Sequence, residues 1–141
     1  MNPDQEFIIS PGITYIHKKD HRNDSPEKAQ WIISEIEERE CYRLGIEKSW
    51  STSPDVSWGI HINAGKAAYL GRTASKKGDI RESFIAKFRD DEGNNCWHGY
   101  PADPREDQDI PPVEILRDWE MNKYLRLATI RKIIKKQKCK L

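Results

Sequence analysis

Of all the features of this sequence, the alternation of apolar residues with small or polar residues between positions 56 and 62 most limits the possible folds. The apolar residues Val56, Trp58, Ile60 and Ile62 are separated by small or polar residues. A period of two residues is typical of a strand with one buried face and one exposed face. The sequence therefore predicts a half-buried β-strand here, and the fold must contain a sheet that includes it.

Three short turn-forming segments follow, at residues 63–66, 76–79 and 90–95. They divide the chain up to residue 100 into further predicted strands. Connections of this length join antiparallel neighbours, because a parallel crossover needs a dozen or more residues. We therefore expect residues 56–100 to form an antiparallel meander of about four strands. The sheet as a whole is expected to have about four to five antiparallel strands.

The residues before this sheet predict an extended segment and then a helix. Residues 1–24 are expected to be an extended N-terminal segment, because β-branched and aromatic residues are frequent in them. Ser25, Pro26 and Glu27 suit an N-cap and the first turn of a helix. Apolar residues then recur at helical spacing, and Gly45 is a residue type that often ends helices. The prediction is a helix over residues 25–45.

The residues after the sheet predict a loop followed by two helices. Residues 101–110 are rich in proline and acidic residues and are expected to form an acidic loop. Two helices are expected over residues 111–138, with Asp109 as a candidate cap and a break near Asn122 or Lys123. The fold class is therefore α+β, as a single domain over residues 1–141.

The last predicted helix is basic and amphipathic. Its apolar residues fall on one side at 100° per residue, and most of its cations fall on the other. The apolar set is Leu127, Ile130, Ile133, Ile134 and Leu141. Burial of this set would dock the helix on the body of the protein, so a freely extended arm is not expected.

Positive charge is concentrated at the C-terminal end of the chain. Eight of the 24 lysines and arginines follow Glu120, and no acidic residue does. Residues 1–120 carry the other 16 cations and all 23 carboxylates, so the net charge of +1 conceals a strongly asymmetric chain. A cationic end of this kind can bind a polyanion, an acidic protein, or the acidic part of its own body.

The composition argues against several classes of protein. No apolar run approaches the length of about 20 residues that spans a bilayer, and the polar N-terminus does not resemble a secretion signal. The three widely spaced cysteines do not form a disulfide framework. We therefore expect a soluble cytoplasmic protein without a cofactor or a metal site.

The clearest candidate binding residues are cations on the last helix, namely Arg131, Lys132, Lys135, Lys136 and Lys138. Such a face can replace the counterions of a phosphate backbone or meet an acidic protein surface. It can equally be an ordinary solvated face whose charge suits the negative end of the helix dipole.

A second basic group lies around the predicted turn at residues 76–79. Arg72, Lys76 and Lys77 could join the last helix in one positive surface, with Trp97 stacking on bases. The alternative is a charged hairpin without a binding role.

His98 and Tyr100 are the candidate catalytic residues, with His61 as a third. His98 and Tyr100 share one face of the predicted strand and precede an irregular loop, so they could form a pocket wall with acid and base groups. A structural aromatic cluster is the alternative. The histidines and cysteines lack the paired spacing of zinc ligands.

These observations favour a small, non-catalytic binding protein, for example an inhibitor or an immunity-type protein that binds a partner protein. The oligomeric state is left open. One alternative is a nucleic-acid-binding protein that uses the basic last helix. Another is a small hydrolase or nuclease-like enzyme that uses His98 and Tyr100.

Overall fold

The computed structural model describes residues 4–141, which form an α+β fold with three α-helices, one six-stranded sheet and two smaller sheets. The helices are α1 (Glu35–Glu47), α2 (Val113–Met121) and α3 (Leu127–Ile134). The strands are β1 (Gln5–Ser10), β2 (Ile13–His17), β3 (Gln30–Trp31), β4 (Ser51–Ser53), β5 (Val56–Gly59), β6 (His61–Asn63), β7 (Lys66–Ala68), β8 (Gly71–Arg72), β9 (Glu82–Ser83), β10 (Ala86–Arg89) and β11 (Cys96–Pro101).

The six-stranded sheet has the order β1-β2-β11-β10-β5-β4. Four of its five strand pairs are antiparallel, and the β2–β11 pair is parallel, with Cys96 opposite Thr14. The prediction of a simple meander was therefore wrong. β10 pairs with β5, although β6 to β9 lie between them in sequence, so long-range pairing overrides the short turns.

The predicted strand over residues 56–62 divides at Ile60. Residues 56–59 belong to the six-stranded sheet, whereas His61–Asn63 pair with Lys66–Ala68 in a separate hairpin. Ile60 between them is 1 % exposed. The alternating pattern correctly predicted extended chain on both sides of Ile60, but it could not show that the two halves enter different sheets.

The first helix begins ten residues later than predicted. Ser34 is its N-cap, accepting the backbone N–H of Glu37 while the Glu37 side chain accepts the backbone N–H of Ser34. Gln30 and Trp31, which the prediction placed inside a helix, are buried in β3 and pair with β8. The start at Ser25 was wrong because this pairing outweighs the local helix signals.

Gly45 lies inside α1 and does not end it. A Cβ at this position would collide with the backbone carbonyl of Trp58. The glycine therefore lets the helix approach β5 closely, and the helix continues to Glu47 with Lys48 as its C-cap.

Two buried clusters fill the interior. One packs α1 against β2, β10 and β11 through Tyr15, Trp31, Ile33, Cys41, Tyr42, Leu70, Ala86, Phe88 and Trp97. The other packs α2 and α3 against the β5 side through Trp50, Trp58, Ile60, Ala67, Phe84, Ile85, Ala102, Ile115, Leu116, Trp119, Leu125, Ile130 and Ile133. The C-terminal helices are therefore integral to the fold, because their apolar residues form part of this second cluster.

The two C-terminal helices were correctly predicted, and Asn122 is the C-cap of the first of them. The N-cap of α2 is Pro112, not Asp109. The buried stripe of α3 is narrower than expected, since Ile130 and Ile133 are buried whereas Leu127 and Ile134 are about half exposed. The helix ends at Ile134, so residues 135–141, here called the tail, are not helical.

None of the helices within residues 4–141 has the length and apolarity needed to cross a bilayer.

Candidate functional site

The C-terminal cations form an exposed surface. We call this surface the cationic face and define it as Arg126, Arg131, Lys132, Lys135, Lys138 and Lys140, all of which are exposed. Within residues 4–141, none of these six side chains forms an ion pair with a carboxylate. Lys136, which lies among them, pairs with Asp107. The positive charge predicted from the sequence is therefore largely open to solvent.

Apolar side chains accompany the cations on the exposed side of α3. Leu127, Arg131 and Ile134 are spaced by four and three residues, so they lie on one side of the helix. Leu127 is 47 % exposed and Ile134 is 48 % exposed. The surface therefore combines charge with accessible apolar area.

The tail is held against the body of the protein at three points. Lys136 forms its ion pair with Asp107 of the acidic loop, and Cys139 packs against the second buried cluster. The backbone N–H of Leu141 donates a hydrogen bond of 3.0 Å to the Tyr69 hydroxyl. These contacts confirm that the C-terminal segment is docked.

The second basic group is less available than the sequence suggested. Arg72 is half-buried, and its guanidinium donates hydrogen bonds to the backbone carbonyls of Ser25 and Thr73. Lys76 is exposed in the 3₁₀ turn Ser75–Lys77. The side chain of Lys77 lies outside the part of the chain that the structure describes.

Trp97 is not positioned to stack on nucleic-acid bases. Its side chain is 4 % exposed and lies in the first buried cluster, with its ring centroid 5.4 Å from that of Tyr42. Stacking requires an accessible ring face, so the prediction of Trp97 as a binding residue fails for a physical reason, namely burial in the core.

His98 and Tyr100 do line a cavity, as the catalytic hypothesis expected. Alternation along β11 places both side chains on the same face of the strand. The cavity has a volume of about 380 Å³, and its wall also includes His21, Arg89 and Asp109. The structure therefore brings together two of the three candidate catalytic residues.

His98 is oriented by a carboxylate. Its Nε2 lies 2.7 Å from an oxygen of Asp91, and this hydrogen bond lowers the pKa of Asp91. The Nδ1 atom of His98 is buried and has no hydrogen-bond partner among the described residues. His98 therefore cannot exchange a proton through Nδ1 without some rearrangement of its surroundings.

Tyr100 donates a hydrogen bond of 2.7 Å to Asp109. The other oxygen of Asp109 accepts the backbone N–H of Asp103 at 2.9 Å, and the Lys87 ammonium lies 3.8 Å from the first. Burial raises the pKa of both Asp109 and Tyr100. Asp109 is therefore held inside the structure by three polar partners, which explains why it does not cap α2.

His21 is a cavity residue that the sequence did not identify. Its ring stacks on Tyr100 with centroids 5.7 Å apart, and its Nδ1 lies 2.8 Å from the carbonyl oxygen of Ala29. Because a carbonyl only accepts, Nδ1 carries the proton and Nε2 holds the lone pair in the neutral ring. Burial lowers the pKa of His21. No sequence motif marks this residue, since its role depends on a contact with a distant strand.

His61 lies elsewhere. Its Nε2 is 3.4 Å from a carboxylate oxygen of Glu37, and it lines a different cavity beside α1 together with Cys41 and Leu44. The structure therefore does not place His61 with His98 and Tyr100 in one site.

The described residues contain no group of three or more histidine, cysteine or acidic side chains that could hold a metal ion.

No known protein family, no curated protein and no solved structure matches the chain.

Proposed function

We propose that this chain is a small non-catalytic binding protein of the inhibitor or immunity type, which docks on an acidic partner protein through the cationic face. The observation that carries the proposal is that six exposed cations of residues 126–140 have no carboxylate partner among the described residues. Charges left open in this way attract an oppositely charged surface and raise the rate of association.

The apolar residues among the cations support a protein partner. Leu127 and Ile134 lie beside Arg131 and are each about half exposed. A charged phosphate backbone offers little for such side chains to pack against, whereas protein interfaces bury apolar residues inside a polar rim. Arginine is also frequent in such interfaces, so Arg131 suits their centre.

The placement of the aromatic residues supports the same choice. Each tryptophan, tyrosine and phenylalanine side chain within residues 4–141 is either buried or half-buried. Proteins that bind single-stranded nucleic acids use accessible aromatic rings as stacking platforms. If the protein binds a nucleic acid instead, we expect it to bind a duplex through the basic helix α3.

The test is affinity purification from an extract of the native host with three immobilised forms of the protein. The first is the unaltered chain, and the second carries R131E, K132E and K135E. The third is a control with the same change of charge, K28E, K48E and K66E, whose lysines are exposed and lie outside the cationic face. The proposal predicts a protein that the first and third forms retain and the second does not.

Retention of the same proteins by all three forms would contradict the proposal. Fluorescence anisotropy with a 20-base-pair DNA and a single-stranded RNA at low salt distinguishes the nucleic-acid alternative. Tight binding that weakens steeply with added salt, and that the R131E/K132E/K135E variant loses, would favour that alternative over a protein partner.

The His98 cavity supports an enzyme as a second candidate. His21 provides an Nε2 lone pair beside Tyr100 in a cavity of about 380 Å³, and burial lowers the pKa of His21, which favours the neutral ring. A small hydrolase or nuclease would use such a base. Hydrolysis of bis-p-nitrophenyl phosphate or p-nitrophenyl acetate that the His21→Asn, His98→Ala and Tyr100→Phe variants lose would favour this candidate.

A further inference from the structure

A second cavity lies beneath the tail, away from His98. It has a volume of about 240 Å³ and is lined mainly by residues 80–85, residues 103–105 and residues 136–140 of the tail. Residues 136–140 of the tail thus form part of its wall. The contacts of Lys136 with Asp107 and of Leu141 with Tyr69 hold that wall in place at its two ends.

Part of the lining of this cavity is apolar. Tyr69 and Cys139 line it and are half-buried, whereas the lining residues Phe84 and Ile85 are only 4 % and 1 % exposed. Tyr69 packs edge-on against Phe84 with ring centroids 6.2 Å apart. Ile80 also lines the cavity and is 45 % exposed, which places it at the mouth. An apolar group that entered the cavity would therefore contact Tyr69, Ile80 and Cys139, next to the polar and charged side chains that form the rest of the lining.

The rim of the cavity is predominantly cationic. Arg81, Arg105, Lys136, Lys138 and Lys140 line it, against the two carboxylates Glu82 and Asp103. Asp103 is bound by the guanidinium of Arg105 at 3.0 Å. Lys138 and Lys140 are exposed and form no ion pair within residues 4–141. The rim therefore presents two lysines to an anion that reaches it.

We propose that the cavity beneath the tail binds a small amphipathic carboxylate, with its aromatic ring or short alkyl chain on Tyr69, Ile80 and Cys139 and its carboxylate at Lys138 and Lys140. The volume suits one ring with a short acid arm, because a cavity of about 150 Å³ already holds benzene in another protein. Small-molecule sites commonly combine an apolar lining with a few polar groups that fix the ligand's orientation.

This site shares Lys138 and Lys140 with the cationic face, but its other lining residues lie outside that face. The residues exchanged to test that docking, Arg131, Lys132 and Lys135, do not line the cavity. The two proposals can therefore fail independently of each other.

The experiment titrates 3-phenylpropionate into the full chain by isothermal calorimetry and by NMR of the backbone amides. The alcohol 3-phenylpropan-1-ol is the matched ligand, since it has the same apolar part without the charge. We expect the acid to bind at least about tenfold more tightly than the alcohol, because the lysines at the rim attract the carboxylate. The amide shifts should be confined to the lining residues, namely 69, 73, 80–85, 103–105 and 136–140.

Two matched pairs of variants locate the site. Ile80→Glu places a negative charge at the mouth and is expected to weaken binding of the acid about tenfold. Ile8→Glu is its control, since Ile8 is 81 % exposed and does not line the cavity. Lys138→Glu and its control Lys48→Glu form the second pair. All four positions are accessible on the surface, so these variants should fold.

The proposal is overturned if the acid and the alcohol bind equally, if neither binds, or if the amide shifts fall outside the cavity. Equal weakening by Ile80→Glu and Ile8→Glu would overturn it as well. A difference between the members of each pair, together with shifts in the tail, supports it.

Discussion

The ammonium group of Lys136 forms an ion pair with the carboxylate of Asp107, and this contact joins the tail to the acidic loop. The two side chains are 45 % and 83 % exposed. Exposed ion pairs contribute little to stability, because water screens them and the long side chains lose freedom. The contact therefore places the tail beside the acidic loop but contributes little stability. The six cations of the cationic face stay unpaired.

Removing this ion pair should change stability only slightly. We expect Lys136→Ala to lower the free energy of unfolding by less than about 1 kcal/mol. Urea denaturation followed by tryptophan fluorescence measures this change. A loss above about 2 kcal/mol would mean that the pair is shielded from solvent and that the fold depends on it, contrary to its exposure.

Two serines distinguish the observed start of α1 from the start expected from sequence. Ser34 caps the helix in the structure, so Ser34→Ala should cost about 1 kcal/mol of unfolding free energy. Ser25→Ala should cost less than about 0.5 kcal/mol, because no helix begins there. Chemical denaturation of both variants provides the comparison. A larger loss at Ser25 than at Ser34 would contradict the observed helix.

The same two serines show how far local sequence signals reach. Residues 25–27 satisfy the local rules for a helix start, yet the chain extends at Gln30 and Trp31 to pair with β8. That pairing depends on residues about forty positions away, so no local pattern reveals it. The C-terminal helices were predictable because their apolar periodicity and the break near Asn122 are local signals, although the predicted cap Asp109 was wrong and neither helix has a side-chain N-cap.

The candidate sites divide in the same way. The cations of residues 126–140 are visible in the sequence, and their exposure follows from the position of Ile130 and Ile133 on the buried side of α3. The grouping of His21 with Tyr100 and Asp109 could not be predicted. It requires the N-terminal segment to lie beside β11, and the parallel β2–β11 pair brings about that arrangement.

A buried carboxylate ties the N-terminal hairpin to α1. Glu38 is 1 % exposed, accepts two hydrogen bonds from the Arg22 guanidinium at 3.2 and 2.8 Å, and accepts another from the Tyr15 hydroxyl. Glu38→Gln leaves the Arg22 charge without its partner and should cost about 3 kcal/mol of unfolding free energy.

The control for this substitution is Glu40→Gln on the exposed side of the same helix. We expect it to change stability by less than about 0.5 kcal/mol. Thermal and urea denaturation of both variants would reveal the difference. Equal, small effects of the two substitutions would show that the Glu38 network contributes little to the fold.

His21 should make the protein less stable in mild acid. Burial lowers the pKa of folded His21 below its ordinary value of 6.5, so the unfolded chain takes up the proton first as the pH falls. Proton uptake by the unfolded state stabilises it, and stability should therefore decrease as the pH falls below 6.5. NMR titration of the imidazole should give a pKa below 6.5.

His21→Asn provides the control, because its amide can still donate to the Ala29 carbonyl but does not titrate. The variant should lose less stability than the unaltered chain between pH 7 and pH 5, as measured by urea denaturation. A His21 pKa at or above 6.5, or identical pH profiles for the two proteins, would contradict the described environment of the ring.

The binding role of the cationic face is tested most directly by the dissociation constant of the complex between this chain and the host protein that it retains. Biolayer interferometry measures this constant. Reversing the charges of Arg131, Lys132 and Lys135 should weaken binding at least about thirtyfold, mostly through a lower association rate. The binding that remains should depend less on salt than that of the unaltered chain. The control reversed at Lys28, Lys48 and Lys66 should stay within about twofold of the unaltered chain. Equal affinities for all three forms would contradict a binding role for the cationic face.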